Sequence, residues 1–233
     1  MALTSISSVH DFLALVSPKY FVEARGRWVF RGHSDIRFDL IPSVGRGGHT
    51  AINSLTHEKS LYDIFVREAG SYLSPLPADE WEWLSVAQHH GLPTRFLDWT
   101  HNPLVALYFA VSGHEDVDGE VFSLHSVKKA SQRTRESSPF EITRPAKYYP
   151  NIVSPRIRAQ EGLFVACSDI EIPLDSPLRE GWSIERFLVP AKTKQSLRYQ
   201  LFRLGVHASA LFPDIDGLAE RLKWQHSVSP LEK

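Results

Sequence analysis

Apolar positions along the first third of the chain fall into short, well-punctuated segments. Phe12, Leu15 and Val16 share one helical face, and Ser8 with Asp11 supplies a start signal, which predicts a short helix through Val16. The run RWVFRGHS reads as a strand ending at Gly32, followed by a polar loop, VGRGGHT, with glycines at 45, 47 and 48. From Thr56 to Tyr72, apolar Leu61, Ile64, Phe65, Ala69 and Tyr72 recur at the period of an amphipathic helix. Pro77, Asp79 and Glu80 open a further helix that Gly91 closes after Gln88-His89-His90. TRFLDWT is a short extended piece, and Asn102-Pro103 forms a strong N-cap and first-turn pair. The helix they open, PLVALYFAV, is apolar on nearly every side, so it belongs at the centre of the domain.

The second half is less regular. GEVFSLHSV reads as a strand, SQRTRESSPFEITRPAK as a surface loop, and RIRAQEGLFVACSD as a turn or short helix running into a strand at Gly162. Thr193 is placed to cap a helix carrying Leu197, Leu201 and Leu204 before Gly205. Asp214 is placed to cap a last helix with Leu218 and Leu222 inward. Helices and strands without regular βαβ alternation predict an α+β fold, a mixed sheet flanked by helices. No composition break divides the chain, so residues 1–233 are expected to form a single domain.

Composition narrows the class. At 42% hydrophobic and 23% charged, the 233 residues are those of a soluble globular protein. Lys+Arg 26 against Asp+Glu 27 gives a net charge of −1, so no global basic field recruits nucleic acid. The single Cys167 excludes an intramolecular disulfide framework and a multi-cysteine zinc site, and its apolar run, LFVACSD, predicts a buried thiol. MALTSISSVHDFLALV lacks a basic leader, and the apolar block from Leu104 to Val111 falls far short of the roughly 20 residues that cross a bilayer. A cytoplasmic protein without membrane contact is expected.

Walker, Rossmann and GxSxG motifs are absent. Three segments hold the candidate chemistry. In Phe30-Arg31-Gly32-His33-Ser34, a guanidinium follows an apolar strand, where it suits phosphate or carboxylate capture or pairing with a carboxylate such as Asp98; Gly32 leaves room for a ligand. Between Gln88 and Thr100, polar groups crowd between two hydrophobic helices and must bond one another, the backbone or a ligand. Trp99 there suits stacking on a base or packing in the core. The adjacent His89 and His90 diverge by about 100° on a helix, so no metal is expected. In the third segment, Arg156 precedes Gln160-Glu161-Gly162, where a carboxylate suits a sugar hydroxyl or a turn cap. Arg133, Arg135 and Arg144 flank a loop with Glu136 and Glu141, so their charges largely cancel and give no nucleic-acid code.

FRGHS, QHHGLPTRFLDWTHNPLVALYFA, RAQEGLF and LFPDIDGLA occur in that order over about residues 26–219, and together they resemble the FRG domain family, which is found largely in bacterial and phage-related proteins. A more distant similarity is to ADP-ribosyltransferases. Arg31 matches an NAD-contacting residue that ends the first strand. Leu97-Asp98-Trp99-Thr100 and the following helix match the second element, and Gln160-Glu161 falls where a Gln/Glu-x-Glu signature belongs. No Ser-Thr-Ser run is present, and Gln160-Glu161-Gly162 is not Gln-x-Glu.

The resemblance implies an NAD-using ADP-ribosyltransferase or NAD hydrolase, a toxin or defence effector. Its acceptor would be protein, nucleic acid or water, and NAD its substrate. Catalytic roles would fall to Glu161, Gln160, Arg31 and Thr100, and ligand binding to Arg31, Gly32, His33, His89, Thr94, Asp98, Trp99 and Arg156. The alternative is a non-catalytic module that binds an anionic nucleotide or a protein ligand. A nuclease-type hydrolase using His89 or His90 with Asp98 stands third.

Overall fold

A computed structural model describes residues 3–22, 28–46, 55–126, 136–151 and 154–227. Seven strands form one mixed sheet: β1 (Thr4–Ser5), β2 (Trp28–His33), β3 (Phe96–Thr100), β4 (Gly119–Ser126), β5 (Ala146–Tyr148), β6 (Gly162–Ala166) and β7 (Trp182–Val189). Their order is β1-β7-β4-β2-β3-β6-β5, with β1 parallel to β7 and every other pair antiparallel. The described helices are α1 (Val9–Val22), α2 (Leu55–Ala69), α3 (Glu80–His89), α4 (Pro103–Val111), α5 (Pro155–Ala159), α6 (Ala191–Arg203), α7 (Ala208–Leu211) and α8 (Ile215–Ser227). The expected α+β class is therefore the observed one.

Strand alternation sorts the core. Phe30, Val121, Phe187 and Val189 face one side and pack with α1, α4 and α6. On the same side of the sheet, Phe96, Phe164, Ala166 and Tyr148 pack with Trp81 and Leu84 of α3 and Tyr62 of α2. The alternate residues Val29, Leu97, Trp99, Phe122, Leu124, Leu163 and Val165 build the opposite core under two loops, one carrying Leu40 and the other Leu174. One face thus carries two helix layers, and the seam between them falls where β2 meets β3.

That junction is unusually thin. β2 and β3 share one register pair, Phe30 with Thr100, whereas β2 meets β4 over six consecutive pairs. Beyond Phe30 the two strands fork. On the other flank, β2 is drawn against α4: a Cβ at Gly32 would stand 1.9 Å from the Ala106 carbonyl oxygen and 2.7 Å from the Ala110 nitrogen. Gly32 is therefore required by backbone contact with α4, and it also borders the cavity described below.

The caps behave as their chemistry directs. Asp79 Oδ1 accepts from Glu82 N at 2.8 Å, Asn102 Oδ1 from Leu104 N at 3.0 Å, and Asp214 Oδ1 from Gly217 N at 2.8 Å. Thr193 does not cap α6, which starts two residues earlier; its hydroxyl donates back to the Pro190 carbonyl at 2.8 Å. Leu218 and Leu222 point outward on α8 rather than inward, and Trp224 is the side chain it buries. Of the glycine-rich loop and the basic loop, Gly47, Gly48, Arg133 and Arg135 lie outside the described residues. Cys167 is buried, and burial pushes its thiol up to about 12. No described helix is long and apolar enough to cross a membrane.

Candidate functional site

A cavity of about 240 Å³ occupies the seam. Its floor is Phe30 on β2, Asp98 and Thr100 on β3, and Phe164 on β6. Its walls are Gln88 and His89 at the end of α3, Val105, Ala106 and Phe109 on α4, and Arg156, Ile157 and Gln160 on α5. Residues from the three segments singled out in the sequence therefore border one hollow.

The fork between β2 and β3 is filled by Arg31. Its Nη1 donates to the Asp98 backbone carbonyl at 2.6 Å and lies 3.8 Å from Asp98 Oδ2, while Nε donates to His33 Nε2 at 3.0 Å. The guanidinium thus satisfies a carbonyl that a diverging strand would leave without a ladder partner. Burial works against its charge, and Asp98 offsets part of that. Both readings of Arg31 are present in one side chain: it touches Asp98, and it borders the cavity.

His33 is buried beneath it and does not border the cavity. Its Nδ1 lies 3.1 Å from the Phe38 carbonyl oxygen, an acceptor only, so Nδ1 carries the proton and Nε2 is free to accept from Arg31. Burial first, and then the charge of Arg31, push its pKa down to about 3. A neutral imidazole therefore positions the guanidinium.

Thr94 and Arg95 are structural. Thr94 is buried below Gln88 and donates to Gln88 Oε1 at 2.6 Å. Arg95 grips Glu58 through Nε and Nη2 and donates to the Pro139 carbonyl, with both charged side chains 1% exposed. Breaking such a pair from one side costs about 3–5 kcal/mol. Trp99 borders the cavity along β3, but its ring is built into the core on the opposite face.

Thr100 is tied up locally: its hydroxyl donates to the Gln160 carbonyl at 2.6 Å and accepts from Asn102 N at 2.9 Å. Gln160 borders the cavity, and its Nε2 donates to the Leu211 carbonyl. Glu161 does not border it. With a left-handed φ of 47°, it turns the chain from α5 into β6; its Oε1 accepts from Asn102 Nδ2, beside a separate depression with Leu13, Val16 and Pro103.

Arg156 brings a second guanidinium. It stacks 4.5 Å from the Phe212 ring centroid, and no carboxylate bridges it among the described residues. His89 Nδ1 lies 3.4 Å from Ser154 Oγ, and burial, His90 and Arg156 all lower its pKa. No group of three His, Cys, Asp or Glu suited to a metal occurs among the described residues.

Gln88 opens the polar segment singled out in the sequence but is assigned no role there. It joins Thr94 to Asp98 through its two amide atoms. The available signal was its place in the last turn of a helix, six residues before a buried Thr, but one glutamine in a polar run carries little weight. The apolar walls from Phe109, Ile157 and Phe164 were visible only as core positions.

Residues 26–119 match the family model of the FRG domain. The match covers β2, α2, α3, β3 and α4, and ends at the first residue of β4. No curated protein and no solved structure matches the chain.

Proposed function

We propose, with the FRG-domain match over residues 26–119 as the premise, that this protein binds an anionic nucleotide of the NAD type in the seam cavity. One observation carries the reading: guanidinium groups from separate elements, Arg31 on β2 and Arg156 on α5, border a cavity that has a single carboxylate, Asp98, among the described residues. Arg31 is partly matched by Asp98, whereas Arg156 is not, so the surplus charge suits a phosphate near α5. Phe30, Phe109 and Phe164 offer apolar walls to a ring. At about 240 Å³ the cavity lies just below the roughly 300 Å³ where small-molecule sites begin. It suits one nucleoside-sized part of a dinucleotide, with the rest lying across the mouth.

Cleavage of NAD is a second reading, favoured by the Asp98 carboxylate standing in the cavity. In that reaction the nicotinamide–ribose C–N bond breaks and its electron pair leaves on nicotinamide. The sugar carbon then bonds to the oxygen of water, or to a nucleophile of a protein or nucleic-acid acceptor, which gives up a proton. Asp98 is the carboxylate suited to face the positive charge that develops on the sugar, a contact worth about 3 kcal/mol. Glu161, bonded to Asn102 outside the cavity, is not. A cytoplasmic toxin or defence effector is the setting this reading proposes.

Thermal unfolding with added nucleotide tests the binding. At a hundredfold excess over Kd, NAD and ADP-ribose should raise the Tm by about 5–10 °C, and adenosine by much less. Arg156→Ala should remove most of the shift. No shift with any nucleotide would overturn the reading. If nicotinamide is also released, Asp98→Ala should stop the release; release that persists in that variant would remove Asp98 from the chemistry.

A further inference from the structure

The polar corner of the cavity has a fixed hydrogen-bond direction, which begins at a backbone amide. Phe96 N donates to Thr94 Oγ1 at 3.1 Å, so the buried Thr94 hydroxyl must send its own proton elsewhere. It donates to Gln88 Oε1 at 2.6 Å. That orients the Gln88 amide, carbonyl towards Thr94 and NH2 towards Asp98, where Nε2 donates to Oδ2 at 2.9 Å. Turning the amide over would set its carbonyl against the Asp98 carboxylate and leave the Thr94 hydroxyl proton without this acceptor.

The donors around Asp98 therefore converge on two of its three oxygens. Gln88 takes Oδ2, Arg31 Nη1 takes the backbone carbonyl, and Oδ1 has no hydrogen bond among the described residues. The side chain is 61% exposed and borders the cavity. What this corner offers a ligand is an acceptor that cannot rearrange into a donor.

We propose that Asp98 is the specificity-determining residue of the seam cavity: it selects a ligand that presents an N–H donor, such as a carboxamide, and rejects the same ligand with a carboxylate in its place. The inference rests on the nucleotide reading and adds to it which end group the corner accepts. A carboxamide turns its NH2 to Oδ1 and completes the acceptor. A carboxylate brings a second negative charge against it. Asp98→Asn changes the sign of the corner. Its carbonyl takes the Gln88 NH2, which the Thr94 relay still holds in place, and its own NH2 then faces the cavity.

Calorimetric titration of NAD and of nicotinic acid adenine dinucleotide, which differ only in carboxamide against carboxylate, tests this on the wild-type protein and on Asp98→Asn. The wild type should bind NAD at least about tenfold more tightly, and Asp98→Asn should reverse the preference. Equal binding to the wild type, or an unchanged preference in Asp98→Asn, would overturn the role of Asp98 while leaving the nucleotide reading in place. Failure of both dinucleotides to bind the wild type would overturn that reading and this one together. The wild-type comparison decides the matter even if the variant fails to fold.

Discussion

Arg31 is held from below by His33, and that arrangement has a pH signature. In the folded protein His33 titrates at about 3, against about 6.5 for an unfolded histidine. Between those values the unfolded chain binds a proton that the folded chain refuses, so stability falls as pH is lowered from about 6.5 towards 3. For one such group the loss approaches about 1.4 kcal/mol per pH unit. His89 and His207 are shifted in the same direction by burial and add to it. His33→Gln keeps an acceptor for Arg31 but does not titrate, so the drop in Tm between pH 7 and pH 5 should be smaller in that variant. An unchanged drop would mean that His33 is not held neutral. At this scale the sequence was legible where a residue type limits its own options: an arginine after an apolar strand, and buried polar groups in need of partners. It was not legible where one residue of rotation decides the outcome. Gln160 borders the cavity while Glu161, turned by its left-handed backbone, borders a different depression.

Helix caps and apolar periodicity placed α3, α4 and β3, because each of those segments carries its own start or stop signal. Three strands were hidden for different reasons: β1 is only two residues long and is a strand through its pairing with β7. β5 is three residues long inside a polar, proline-containing stretch, and only its pairing with β6 makes it a strand. β7, WSIERFLV, mixes polar and apolar positions because one end packs on the helix side and the other on the opposite core. The outward turn of Leu218 and Leu222 shows that helical spacing gives a face but not its direction. The pairing of α4 with β2 yields a sharp test. Gly32→Ala drives a methyl group into the α4 backbone and should cost about 3 kcal/mol, lowering the Tm by roughly 10 °C. A variant that melts within about 2 °C of the parent would show that β2 and α4 are not in backbone contact.

Across the whole molecule, one feature sets the location of the site. Two helix layers share one face of a single sheet, and the sheet is weakest at the line between them, where β2 and β3 meet at one residue pair. Amphipathic patterning identifies the layers, but no local pattern reveals that two central strands will fork. The cavity is a product of topology, and the sequence marks it only through the polar residues that line it. The central claim, that this seam binds an anionic nucleotide through two guanidinium groups, is tested most directly by calorimetric titration of ADP-ribose into the wild-type protein, Arg31→Ala and Arg156→Ala. Binding at one site per chain, weakened at least about tenfold by each substitution, is the predicted result. Absence of binding to the wild type, or an affinity that neither substitution changes, would contradict it.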